Sequence, residues 1–268
     1  MQTPQNSHPD FKSAIQVIDR AVAILETLAT HREPVSLKVL ALETGLHSST
    51  AFRITAALQG HGLIAKDARG YYQLGHRLTH YASRVPQRTD IREIARPFMT
   101  QLRDLINETV NLTVQQGDAV VYVERALPNR MMRVEQVIGS RAPLHVTAVG
   151  KLMLGERDEQ AVLDYAQRTG LPQYTANTLT TPTALLQEVR LAKAQGVAFD
   201  REEAEVGVAC VGVLIREAGG NSVAGLSISA PRERHQPDWV AQLQAIGQQL
   251  SAQLGFFAPG AATSKPSI

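Results

Sequence analysis

The chain of 268 residues carries a single cysteine, so no internal disulfide can form and no paired Cys/His spacing exists to cage a structural zinc. A reducing, cytoplasmic setting is the expectation. A run of about 18 apolar residues, the minimum for a membrane span, is missing. The opening MQTPQNSHPD lacks the basic and apolar blocks of an export signal, so no membrane partner is expected. There is no HExxH, no Walker phosphate loop and nothing that calls for a cofactor. Charge is also scarce: a net +2 does not by itself announce nucleic acid, although six of the eight histidines (His8, His31, His47, His61, His76, His80) fall in the first eighty residues.

What is present divides into two blocks between polar, Pro-containing tails at 1–12 and 257–268. Ile15, Ile18, Val22, Leu25 and Leu28 recur at steps of three and four, which predicts an amphipathic helix ending before Pro34. Ser36 is placed to cap LKVLALET, and Gly45 stands where a left-handed residue would end that helix. A second helix of the pair begins near Ser48, with Ala51, Ile54, Thr55 and Leu58 inward, and LIAKDARGYYQLG reads as a hairpin. Three helices and a hairpin in that order predict a winged helix-turn-helix over 13–77.

In this frame Ser49, Phe52, Arg53 and Ala56 share an outward stripe, narrow enough for a major groove. Ser48, Ser49 and Thr50 offer hydroxyls to phosphates or base edges, and Arg53 has the fork for guanine. Lys66 and Arg69 flank the wing tip, where backbone phosphate or minor groove would meet them. The alternative is a tight helix pair that never touches DNA, with Arg53 in a surface ion pair and Phe52 packed.

Pro86 and Pro97 predict a broken helical linker over 78–95, leading into a second domain at 96–256. There VNLTVQQGDAVVYVER is strand, Gly-Asp turn, strand, and MMRVEQVI is expected to be a third strand. Helices are expected near 148–155, 158–168 and 183–195, strands near 208–216 and 222–230, and a last helix from Trp239. The fold class is therefore α+β, with antiparallel strands and helices gathered around them.

Three features of this domain bear on chemistry. HVTAVGKLML resembles a phosphate loop only superficially, since His145 and Leu152 stand where a Walker sequence needs Gly and Ser or Thr. It does place a helix start near Ala148, with amides on Ala148, Val149 and Gly150 able to receive a carboxylate, unless Gly150 serves only close packing. Cys210 sits among Val208, Ala209, Val211, Gly212 and Val213, surroundings that raise a thiol's pKa; a Cys210–His145 enzyme dyad acting on a small carboxylate is the alternative to an inert cysteine. Ser227 and Ser229 share one face of their strand, either inward or solvated, and the acidic run after Asp200 reads as a solvated loop.

Taken together, SLKVLALETGLHSSTAFRITAALQGHGLI, PLHVTAVGKLML, FDREEAEVGVACVGVLI and GLSISAPRER make the chain resemble the IclR family of bacterial transcriptional regulators, from about Ile15 to Leu254. One departure is Val213 and Leu214, where that family often has a proline. The resemblance implies a GAF-like effector-binding domain, a double-stranded DNA operator, a small organic acid or aromatic effector, and homodimers paired into tetramers. It also implies a pocket of the Ala148 and Val149 amides, Asp200, Cys210, Ser227 and Ser229, with Met131 and Val134 as apolar walls, and no catalysis.

Overall fold

The computed structural model describes residues 15–257 apart from 32, 83 and 85–89. The expected N-terminal tail, nearly all of the C-terminal one and the break at Pro86 lie outside the described residues. The chain forms two compact units, Met1–Arg88 and Thr89–Ile268.

The first unit is built from α1 (Gln16–Thr30), α2 (Leu37–Glu43), α3 (Ser48–Gly60), the hairpin β1 (Ile64–Lys66) and β2 (Tyr72–Leu74), and α4 (Arg77–Ala82). Ser36 caps α2, its Oγ accepting from Val39 N at 3.4 Å, and Gly45 ends it at φ +65°. Ala51, Ile54, Thr55 and Leu58 are all buried, so the core side of α3 is the expected one. In α1 the expectation needs correction. Ile24 and Leu28 enter the core, with Ala21 and Leu25 packed beside it, whereas Ile15, Ile18 and Val22 remain 54%, 53% and 44% exposed. Two overlapping apolar stripes run along this helix, and the small core fits only the C-terminal one.

The second unit is a six-stranded antiparallel sheet in the order β5-β4-β3-β8-β7-β6. Its strands are β3 (Thr109–Gln116), β4 (Ala119–Ala126), β5 (Arg141–Pro143), β6 (Ala198–Arg201), β7 (Val208–Arg216) and β8 (Ser222–Pro231). Residues of alternating parity take opposite faces. Val110, Leu112, Val211, Val213, Leu226 and Ile228 join α5 (Ile91–Ile106) and α9 (Trp239–Gln253) in the main core, where each fully buried large side chain contributes about 1.5–3 kcal/mol. The opposite face is polar and is covered by α6 (Ala148–Gly155), which packs with α7 (Glu159–Thr169) and α8 (Pro182–Gln195).

Three expectations fail here. Pro97 does not break the chain: α5 runs through it, and since Pro97 and Glu93 are both exposed, water can serve the carbonyl that the proline leaves without a donor. MMRVEQVI is not a strand. Segment 130–138 is a strap held by side chains, with Thr109 Oγ1 donating to Val134 O at 2.5 Å, Arg125 Nη1 to Gln136 O, and Arg234 Nη2 to Met132 O at 3.1 Å. The acidic run is no solvated loop either, because Asp200 belongs to β6 and Asp200, Glu202 and Glu203 are all buried. Thr175 and Thr178 hydroxyls donate to the carbonyls of Glu202 and Glu203 at 2.6 and 2.7 Å, tying that turn inward.

Candidate effector pocket and DNA-reading helix

The start of α3 is open along its outward side. Ser48, Ser49, Phe52, Arg53 and Ala56 are exposed and Thr50 is half-buried, while His47 Nδ1 and Ser49 Oγ lie 2.9 Å apart. Arg53 has no ion-pair partner among the described residues, so its guanidinium is uncommitted. Phe52 is 53% exposed rather than packed. At the wing, Asp67 accepts from Tyr71 N at 2.8 Å and Arg69 N at 2.9 Å, which fixes the turn and holds its carboxyl below the usual range, mainly through the Tyr71 bond. Lys66 stacks on Tyr72 and Arg69 on Tyr71, with Arg69 also paired to Asp67.

In the second unit, antiparallel register assembles the polar face. Asp200 is opposite Cys210, Cys210 opposite Ser229 and Ser229 opposite Thr109, giving one row across four strands. The next row is Ala198, Gly212, Ser227 and Asn111. Ser227 and Ser229 are therefore inward, 4% and 1% exposed. Ser229 Oγ receives Asn111 Nδ2 at 3.1 Å and lies 3.1 Å from Cys210 Sγ, whereas Ser227 Oγ has no side-chain partner among the described residues.

Helix α6 begins directly over this face. A Cβ on Gly212 would lie 2.7 Å from Val149 Cγ1 and 3.1 Å from Val149 N, and one on Gly225 would lie 2.7 Å from Val149 Cβ. Only glycine at these two strand positions lets the helix start settle onto the sheet. Gly150 has its own packing duty, since a Cβ there would stand 2.3 Å from Leu144 O. Thr147 Oγ1 takes the Gly150 N–H at 3.2 Å, which leaves the Ala148 and Val149 amides as the free donors of this helix start. Val134 is half-buried beside Thr109, but Met131 stands fully in solvent and forms no wall in this structure.

Electrostatics at the row's end involve a pair that the sequence reading passed over. Lys151, fully buried, donates to both carboxylate oxygens of Glu203 at 2.7 and 2.6 Å. Asp200 is raised to about 6, chiefly by burial, with the Glu203 charge adding to it and the Glu203 N–H bond at 2.7 Å opposing. Burial also pushes the Cys210 thiol well up, helped by Asp200, and pushes the Tyr122 phenol up. A thiol so placed stays protonated and is a poor nucleophile.

The dyad alternative finds no geometry to stand on. His145 is fully buried with both nitrogens occupied: Nδ1 is 3.0 Å from Tyr165 Oη and Nε2 is 3.1 Å from Pro172 O. A carbonyl can only accept, so Nε2 carries the proton, and Tyr165, which accepts from His145 N at 3.1 Å, donates to Nδ1. Burial lowers this histidine, consistent with a neutral ring. Cys210 finds Ser229 instead. Among the described residues no cluster of His, Cys, Asp and Glu is arranged to hold a metal ion, and no helix is long and apolar enough to cross a membrane.

Sequence reasoning missed Asn111, Gln136, Lys151 and Glu203. A signal existed for two of them: polar residues at 109, 111 and 113 alternate with Val110, Leu112 and Val114, and Lys151 interrupts the apolar helix AVGKLMLG.

Residues 83–253 match the family described as bacterial transcriptional regulator IclR C-terminal, and residues 17–68 match the IclR helix-turn-helix domain. The HTH-type transcriptional repressor AllR of Escherichia coli (strain K12) is 30% identical over 257 residues, covering 94% of this chain and 95% of the relative. AllR of Salmonella typhi is 30% identical over 261 residues, covering 96% of each chain. Among solved structures, the Agobacterium tumefaciens repressor BlcR aligns with a TM-score of 0.69 at 26% identity, covering 91% of this chain and 99% of that one. The Thermotoga maritima IclR aligns with a TM-score of 0.59 at 28% identity, covering 90% and 99%.

Proposed function

This chain belongs to the IclR family of bacterial transcriptional regulators, and on that premise we propose that its second unit, Thr89–Ile268, binds a small organic acid whose presence alters operator binding by the first, Met1–Arg88. The observation that carries the reading is the polar row of buried Asp200, half-buried Cys210 and buried Ser229 and Thr109, with buried Ser227 beside it, lying under a helix start whose Ala148 and Val149 amides are free. Burying so many polar groups costs stability unless partners complete them. Thr109, Ser229 and Asp200 already have protein partners, so what a carboxylate completes is the two amides and the Ser227 hydroxyl, and the positive end of α6 favours its charge. Cys210 acts here as a lining residue, its thiol kept protonated by burial. Asp200 suits a ligand hydroxyl or amine.

For DNA, Arg53 reads a base edge, Ser48, Ser49, Thr50 and Phe52 line the approach, and Lys66 and Arg69 hold phosphates from the wing. The exposed stripe of Ile15, Ile18 and Val22 supports a homodimer, because a contiguous apolar patch on a small unit calls for cover. Two heads then meet two half-sites, and an effector with unequal affinity for two arrangements of the dimer shifts operator affinity by linkage.

The experiment is a thermal-shift screen of small carboxylates on the full chain. A ligand at about a hundred times its dissociation constant stabilises by about 2.7 kcal/mol. A second unit whose melting no carboxylate moves would remove the effector half of the proposal.

A further inference from the structure

Asn111, on β3, is fully buried. It lies opposite Ser227 in the register, two strands from Gly212, over which the start of α6 sits. Its Nδ2 is used twice, donating to Ser229 Oγ at 3.1 Å and to Gln136 Oε1 of the strap at 3.0 Å. In this arrangement the amide nitrogen faces Ser229 and the strap. Its Oδ1 is left buried without a partner, one of two such side-chain atoms among the described residues; the other belongs to Gln242 on α9, against the opposite face of the sheet.

We propose, resting on the reading of this unit as an effector domain, that Asn111 Oδ1 is a specificity-determining acceptor: the effector carries an O–H or N–H donor within a few atoms of its carboxylate. The free donors of the face, the Ala148 and Val149 amides and Ser227 Oγ, take the acid end. The unfilled atom on β3 is an acceptor, so the complementary group must donate. Strands are about 4.8 Å apart, so the two steps from Asn111 through Ser227 to Gly212 span about 10 Å, and the donor falls on the second to fourth carbon of a short acid. A plain alkyl acid would leave Oδ1 desolvated and unpaired. Because the cost of an unpaired buried acceptor falls on the wrong ligand, discrimination of about 10- to 100-fold follows. These groups are nearly or fully covered in this structure.

Two three-membered series test this on the full chain by calorimetry and thermal shift: propionate, lactate and pyruvate, then butyrate, 3-hydroxybutyrate and acetoacetate. Within each series only one carbon changes, from CH₂ to CHOH to C=O. The expected result is that a hydroxy acid binds about 10- to 100-fold more tightly than its deoxy partner. Asn111→Ala should collapse that ratio to within about threefold, while Gln136→Leu, which frees the strap but keeps the acceptor, should preserve it. Circular dichroism and operator binding of each variant establish that it is folded. Equal binding of deoxy and hydroxy partners, preference for the keto acid, or a hydroxyl preference that survives Asn111→Ala would each overturn the inference while leaving the effector reading intact. If no acid of either series or of the wider carboxylate screen binds, both fall together.

Discussion

The buried Lys151–Glu203 pair offers the sharpest stability test. Lys151 is fully buried on α6, Glu203 has a side chain 5% exposed on the turn after β6, and the ammonium reaches both oxygens at 2.6 and 2.7 Å. In a low-dielectric site each charge is tolerated because the other is there, and removing one strands its partner. Lys151→Met or Glu203→Leu alone should therefore cost about 3–5 kcal/mol, or roughly 6–20 °C in the melting of a unit of this size. The double variant should be markedly more stable than the sum of the two losses predicts, because neither charge is then left alone. Differential scanning calorimetry of the four proteins closes the cycle. Single variants costing under about 1 kcal/mol, or two losses that simply add, would refute the view that this pair is desolvated and mutually dependent.

Other consequences are as direct. Asp200, raised in the fold to about 6 from 3.8, keeps its proton between those values while the unfolded chain has lost it, so stability falls as pH rises from about 4 to about 6. Asp200→Asn should flatten that slope in denaturant titrations. Gly212→Ala drives a methyl into Val149 Cγ1 and its amide; a loss of about 1–3 kcal/mol is expected, with weakened effector binding by calorimetry. On the DNA side, Arg53→Ala should weaken a cognate site by about 1–3 kcal/mol and relax its specificity, while Lys66→Ala should lower the salt slope by about 1 and spare specificity; binding isotherms at several salt concentrations separate the two.

The first unit was the more legible in sequence because local signals agree there. Ser36, Gly45 and the 51–54–55–58 spacing each dictate one feature of the helix pair, and none depends on a distant partner. The exception, α1, carries two apolar stripes, and which one meets the core depends on how α3 and the hairpin dock. In the second unit period-two alternation located Ser227 and Ser229 on one face, but whether that face is wet depends on α6 lying over Gly212 and Gly225. For the same reason Asp200 to Glu203 read as a surface run: the lysine that neutralises Glu203 is 52 residues earlier in the chain. MMRVEQVI has strand-like residues, yet it takes its hydrogen bonds from Thr109, Arg125 and Arg234, a choice that only tertiary contacts make.

A ligand bound at the polar face of the second unit should change how the first grips DNA. Fluorescence anisotropy of the full chain on labelled DNA from upstream of its own gene, titrated with and without a carboxylate that raises its melting temperature, measures this directly. Specific binding whose affinity shifts at least fivefold with ligand, about 1 kcal/mol of coupling, is the expected result. Tight operator binding indifferent to a ligand that demonstrably binds, or no specific binding at all, would contradict it.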